Sequence, residues 1–313
     1  MFTVAISQLT TSRWELPTEL AHLAEHGFDA VSIWRPKLSD MGLDESAAIL
    51  SRSGVRVSSL QWAGGFTGGD GRSFAESVAD AREAIDTVAA LGGRILIVHA
   101  GCRGGHTLSH ARRLLLQALE TILPAAERAG VTLAVKPFHA AAGCSFLTRL
   151  REAADLIERF DAPSLRLSLD LWQFGHESDV RSLAPRLAAL AAVVQVADRH
   201  GPPTGEQERV PAGHGSLPLE DIVATLVEQG YAGDVEFDPV GEAVESLGYE
   251  RVLDVTRQVA GEWKAALQAS RHSLQPADAA VAALPDAIRS RTAQFRPAGF
   301  RKSHASSQIV SRG

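Results

Sequence analysis

Leu133-Ala134-Val135-Lys136-Pro137-Phe138-His139 decides how the chain is read. Apolar and small residues run into Lys136, and Pro137 stops the run. That is the pattern of a buried parallel strand delivering one charged side chain at its C-terminal end. In a parallel α/β barrel the C-terminal strand ends face the mouth where chemistry is carried.

Outward from this segment, short apolar runs alternate with helical stretches. Strands are expected at Phe2–Ser7, Ala30–Trp34, Arg56–Gln61, Ile95–His99, Thr132–Lys136, Leu165–Asp170, Val193–Ala197 and Asp234–Asp238. Helices are expected near 17–26, 43–53, 73–91, 106–129, 145–160, 179–190, 218–229 and 248–269. Eight strand–helix units favour a closed (β/α)8 TIM barrel over an open doubly wound sheet. No Gly-x-Gly-x-x-Gly follows a strand. Gly101, Gly104 and Gly105 follow the fourth one, but with the wrong spacing and no phosphate-loop lysine.

The 313 residues are 45% hydrophobic and 22% charged with a net charge of −6, a globular composition with no overall attraction to nucleic acid or anionic membrane. No apolar run approaches the ~20 residues of a membrane span, and Phe2 enters a strand with no basic leader. A cytoplasmic protein is expected. Cys102 and Cys144 form no disulfide framework and suit a reducing compartment, although a single bridge between them stays open. The barrel is expected over residues 1–270. Residues 271–313 read as a basic, Pro-, Ala- and Ser-rich tail, partly disordered, with a short helix near 277–290 and no acidic residue after Asp286. The tail is either a solvated extension or a contact for an acidic partner.

The strand ends gather Trp34, Trp62, His99, Lys136, His139, Asp170, Trp172, Gln173, Gln195, Asp198, Glu236 and Asp238. Aromatic faces beside hydrogen-bonding groups suit a carbohydrate or other polyol; alternatively, Trp34 and Trp62 simply cover the barrel top. Asp170 ends an apolar strand, so its carboxylate must be paired, liganded or solvated in a cavity. Asp198 follows its strand in the same manner and either enters the site or caps the loop 199–203.

Together the segments Ala134-Val135-Lys136-Pro137-Phe138-His139, Leu169-Asp170-Leu171-Trp172-Gln173, Val194-Gln195-Val196-Ala197-Asp198-Arg199, Arg209-Val210-Pro211-Ala212-Gly213-His214-Gly215 and Gly230–Asp238 carry a resemblance. Over residues 1 to about 270 the chain resembles the sugar phosphate isomerase/epimerase group of xylose-isomerase-like barrels, with inosose and hydroxypyruvate isomerases among its members. The resemblance implies a TIM barrel that moves a proton next to a carbonyl through an enediolate. It also implies one divalent metal (Mn, Mg or Zn) held by Glu, Asp, His and Glu at the ends of strands five to eight, the two glutamates serving as acid and base. Those positions fall on Lys136, Asp170, Gln195 and Asp238, of which only Asp170 keeps the family's residue. Gln173 stands where many members place a substrate-contacting histidine. Dimers are common in the group, so a homodimer is a further expectation.

The family's ligand set carries −3 formal charge, whereas the set here carries −1. An ammonium ~5 Å from a dication costs roughly 6 kcal/mol at an effective dielectric near 20, and Gln195 offers only a weak neutral oxygen in place of imidazole. A divalent metal is therefore disfavoured and no other cofactor is expected. Lys136 is expected at the metal's place, paired with Asp170 and Asp238. Asp238 is then the candidate base and Glu236 the second candidate. His99 and Arg209 are expected to bind hydroxyls or a phosphate, with a small carbohydrate as partner and neither nucleic acid nor membrane. The alternatives are a catalytically inactive barrel that binds carbohydrate or a partner, and Schiff-base chemistry on Lys136, which requires a depressed lysine pKa.

Overall fold

The computed structural model describes residues 1–204 and 208–273. Eight strands close into a barrel in sequence order with every pairing parallel: β1 Thr3–Ser7, β2 Ala30–Trp34, β3 Arg56–Gly64, β4 Ile95–His99, β5 Thr132–Lys136, β6 Leu165–Asp170, β7 Ala191–Val196 and β8 Asp234–Phe237. The strands are rich in Val, Ile and Leu and almost wholly buried, as strands covered by helices outside and filled by side chains inside must be. Met1–Ala265 form one compact unit that contains the barrel, and the chain from Ala266 clusters separately. The expected tail lies, from residue 274 on, outside the described residues. No helix among the described residues is long and apolar enough to cross a membrane. Cys102 and Cys144 are free and exposed, not bridged.

Several element boundaries differ from the sequence expectation. The helix expected over 179–190 is two, Ser178–Ser182 and Ala184–Leu190, because Pro185 has no amide hydrogen to continue the first one. The helix expected from 145 begins at Leu150. β3 runs three residues past Gln61, through a register shift between Gln61 and Ala63. Short helices Leu171–Phe174 and Glu242–Leu247, absent from the expectation, follow β6 and β8.

Register sets which side chains meet inside. Ile97, Ala134 and Val193 form an apolar cluster, and two residues further along each strand stand His99, Lys136 and Gln195. His99 lies opposite Lys136, while Gln195 lies opposite Asp170 on one side and Glu236 on the other. Side chains two residues apart share a face, so this row points inward. The opposite arc of the barrel is lined by hydroxyls and one amide. Gln61 Nε2 donates to Ser7 Oγ at 3.1 Å and Ser32 Oγ at 2.7 Å, and Ser32 and Ser59 bond each other at 2.8 Å.

Gly64 fixes the end of β4. Its φ is +135°, and a Cβ there would collide with the carbonyl oxygen of His99. Both the backbone angle and the contact exclude a side chain. Gly64→Ala is expected to destabilise the protein by about 2 kcal/mol or more, read as a lower urea midpoint. An unchanged midpoint would contradict this account of how His99 is held.

Candidate functional site

Asp170 is the centre of the polar cluster. It is fully buried at the end of β6 and its carboxylate is held from both sides. Oδ2 pairs with Lys136 Nζ at 2.8 Å; Oδ1 accepts from Arg209 Nη2 at 3.0 Å and from the Trp172 amide at 2.9 Å. Burial alone pushes the carboxyl up, but the charges of Arg209 and Lys136 overcome it and hold Asp170 well below the usual carboxylate range. Lys136 also donates to Gln195 Oε1 at 2.6 Å and lies 5.3 Å from the Phe138 ring centre.

Asp238 is not paired with Lys136, contrary to expectation. Its partner is Arg209, whose Nη2 stands 2.7 Å from both carboxylate oxygens and whose Nε donates to the Asp238 carbonyl at 3.2 Å. The guanidinium thus sits between Asp170 and Asp238, against the Trp172 ring at 4.9 Å. A single nitrogen, Nη2, bridges the two carboxylates, while Nε of the same guanidinium fixes it to the Asp238 backbone. Burial raises the Asp238 carboxyl above its ordinary value even with Arg209 beside it. Arg209 arrives on the segment between β7 and the helix Leu219–Glu228, and that segment is pinned by backbone bonds. Asp198 and Val210 exchange hydrogen bonds at 2.8 and 3.0 Å, and Arg209 and Val240 do so at 3.1 and 2.7 Å.

Gln195 links this pair to a second carboxyl. Its Nε2 donates to Glu236 Oε2 at 3.1 Å, and Ser58 Oγ donates to Glu236 Oε1 at 2.7 Å. The register of β8 does point Glu236 inward, but the residue is sealed behind Gln195 with no exposed surface. Burial pushes its carboxyl up to about 7. His99 lies at the mouth with its ring edge-on to Trp62 at 6.2 Å and to Phe138 at 6.3 Å. Burial, then the charge of Lys136, lowers its pKa to about 4, so the imidazole is neutral at neutral pH.

The remaining sequence candidates stand apart from this cluster. Asp198 spends its carboxylate on the amides of Arg199 at 2.8 Å, Leu217 at 2.9 Å and Gly213 at 3.1 Å, which makes it the loop anchor. Gln173 is buried and accepts the His139 amide at 3.0 Å. His139 itself pairs with Glu177 at 3.0 Å and lines a separate cavity of about 340 Å³ with Phe174. Trp34 and Trp62 line another cavity, of about 520 Å³, together with Gln61. Trp172, under Arg209, and Ser58, beside Glu236, join the cluster. The first was visible as a tryptophan next to Asp170; the second is one serine inside a strand and gave no signal.

The divalent metal implied by the resemblance does not fit this donor set. The oxygens of Asp170, Gln195 and Asp238 are already taken by the cations of Lys136 and Arg209, all within 3.0 Å. A dication placed there meets two positive groups and one neutral amide where the family offers anions and imidazole. Among the described residues, no group of three or more His, Cys, Asp or Glu side chains is arranged to hold a metal ion.

Glu236 gives the fold a pH dependence with a definite sign. With a folded value near 7 against the ordinary 4.5 of a glutamate, the unfolded chain ionises first as pH rises. Stability is therefore fully present below about 4.5 and is lost as pH passes 7, by about 3 kcal/mol. His99 acts in the opposite sense, adding stability as pH rises between about 4 and 6.5. Comparing the wild type with Glu236→Gln cancels the histidine. The variant is expected to improve on the wild type by about 3 kcal/mol between pH 4.5 and 8 in urea unfolding; a pH-independent difference would count against a buried ionisation at Glu236.

Residues 20–259 match the xylose isomerase-like TIM barrel family. A Streptomyces coelicolor protein named "Putative hydroxypyruvate isomerase" is 28% identical over 268 residues, covering 76% of this chain and 90% of its own. Among solved structures, an IOLI protein with a bound zinc atom superposes with a TM-score of 0.74 at 18% identity, covering 84% of this chain and 98% of that one. An L-ribulose 3-epimerase gives 0.72 at 18% identity, over 89% and 99%. These two likenesses are of fold. With the match over most of the barrel and the closed eight-stranded topology, the chain belongs to the xylose isomerase-like TIM barrel family.

Proposed function

We propose that the protein is a sugar isomerase or epimerase that moves a proton beside a carbonyl without a divalent metal. The single observation that carries this reading is the double pairing of Asp170 with Lys136 and Arg209, which puts two fixed cations at the barrel mouth. Similarity to a relative named for hydroxypyruvate isomerisation and a fold shared with a ribulose epimerase support the reaction class.

In this reaction the substrate carbon next to the carbonyl gives its proton to the Asp238 carboxylate. The electron pair moves to the carbonyl oxygen, forming an enediolate. Lys136 uses two of its three N–H donors on Asp170 and Gln195, and Arg209 leaves Nη1 without a partner among the described residues. Those unspent donors stabilise the enediolate oxygen. In an isomerisation Asp238 returns the proton to the neighbouring carbon while the hydroxyl proton of the first carbon passes across the enediolate to the former carbonyl oxygen; in an epimerisation solvent protonates the opposite face of the same carbon and Asp238 gives its proton up to solvent. The neutral His99 holds a hydroxyl. Gln195 keeps Lys136 aligned and transmits no proton of its own.

A second reading, a barrel that binds carbohydrate without turning it over, is favoured by one observation: both Asp238 oxygens are bonded to Arg209, so the base is held in a closed pair. Solvent deuterium incorporation into a panel of small ketoses and inososes separates the two. Exchange is expected in the wild type and to persist, within about twofold, after exhaustive chelation. Lys136→Met is expected to lower it by about a hundredfold or more, the size of one lost oxyanion donor. Stoichiometric, tightly held manganese or zinc, or loss of exchange on chelation, would sink the metal-free mechanism. Binding without exchange would establish the second reading.

A further inference from the structure

The cavity of about 520 Å³ beside the mouth lies between the turn Arg35–Asp40 and the helix Phe74–Ala90, and belongs to none of the groups that move the proton. Its size is that of a small-molecule site. Two of the five tryptophans in the chain line it. Trp62 is 45% exposed, a rare state for an indole, and its ring also meets His99 edge-on, so it forms a wall common to the cavity and the mouth.

The polar groups around these rings are unspent. Gln61 is only 3% exposed; its Nε2 serves Ser7 and Ser32, but its Oε1 accepts no hydrogen bond among the described residues. An amide oxygen left free to accept is available to a ligand hydroxyl. Arg35 uses Nη1 on Asp80 and the Trp62 carbonyl and leaves Nε and Nη2 without a partner among the described residues. The Glu83 carboxylate, also on the cavity wall, has no partner among the described residues. Aromatic faces with one amide acceptor, one carboxylate and a guanidinium edge match a sugar ring, whose C–H faces stack while its hydroxyls both donate and accept.

We propose that this cavity is a second sugar subsite, so that the ligand of the barrel is a glycoside or disaccharide with one ring at Lys136 and His99 and the next beyond Trp62. The assignment rests on the carbohydrate reading of the mouth given above. It separates the aromatic residues, which set ligand length, from the charged cluster, which does the chemistry.

Calorimetric titration of the full-length protein with cellobiose, maltose and glucose tests it. At least one disaccharide is expected to bind ten times more tightly than glucose. Trp62→Ala and Glu83→Ala are each expected to bring that ratio close to one, while Lys136→Met leaves a disaccharide preference in place. Equal binding of the three sugars, no binding of any, or a preference that survives both cavity substitutions overturns the subsite. Deuterium exchange measured on the same preparations keeps the two ideas distinct. Exchange without a length preference removes the subsite and leaves the isomerase. A length preference without exchange does the reverse.

Discussion

A carboxylate buried at the end of a barrel strand has to be neutralised where it stands, and Asp170 governs the mouth for that reason. An unpaired charge there is several kcal/mol too costly for a folded domain to carry. Two cations from different parts of the chain, Lys136 on β5 and Arg209 on a pinned loop, meet the requirement together. Asp238 then becomes the second carboxylate that Arg209 needs, and Gln195 the neutral acceptor that completes the lysine. The charge of the group closes on itself.

Beneath it, Gln195 divides two electrostatic regimes. On the mouth side, Asp170 is held by two full charges, while Asp238 has one and is still raised by burial; on the inner side, Glu236 meets only the dipoles of an amide and of serine hydroxyls. Dipoles stabilise an anion less than cations do, so burial prevails and the Glu236 carboxyl sits near 7 while Asp170 stays ionised. Two buried acids on either side of β7 thus behave differently because of what faces them.

The barrel was legible because each strand is a short apolar run closed by a polar residue, and parallel register gathers those terminal residues at one end. That same geometry made Lys136, Asp170, Gln195 and Asp238 readable as neighbours. The pairing of Lys136 with Asp170 was readable too, but the partner of Asp238 was not. Arg209 lies on a long connection, and only the ladder of Asp198 with Val210 and of Arg209 with Val240 decides where its side chain goes. Asp198 looks like a site residue by position and is instead consumed by three amides, a choice made by the fold of the loop it caps. His139 and Gln173 leave the mouth because the chain turns outward after Pro137 into the short 3-10 helix Ala140–Ala142, which fastens one to the other.

The closed charge group also bears on how such a site can change over generations. Lys136 and Arg209 meet on the carboxylate of Asp170, so replacing the lysine by an acid leaves three buried carboxylates and a neutral amide around a single guanidinium. Changing one of these positions alone leaves a buried charge unbalanced, which changing its partner with it avoids. The loop bearing Arg209 must withdraw in the same step, and it is tied to β8's exit by its own backbone bonds. What looks like a set of independent positions is one energetic unit, because each charge is balanced only by the others.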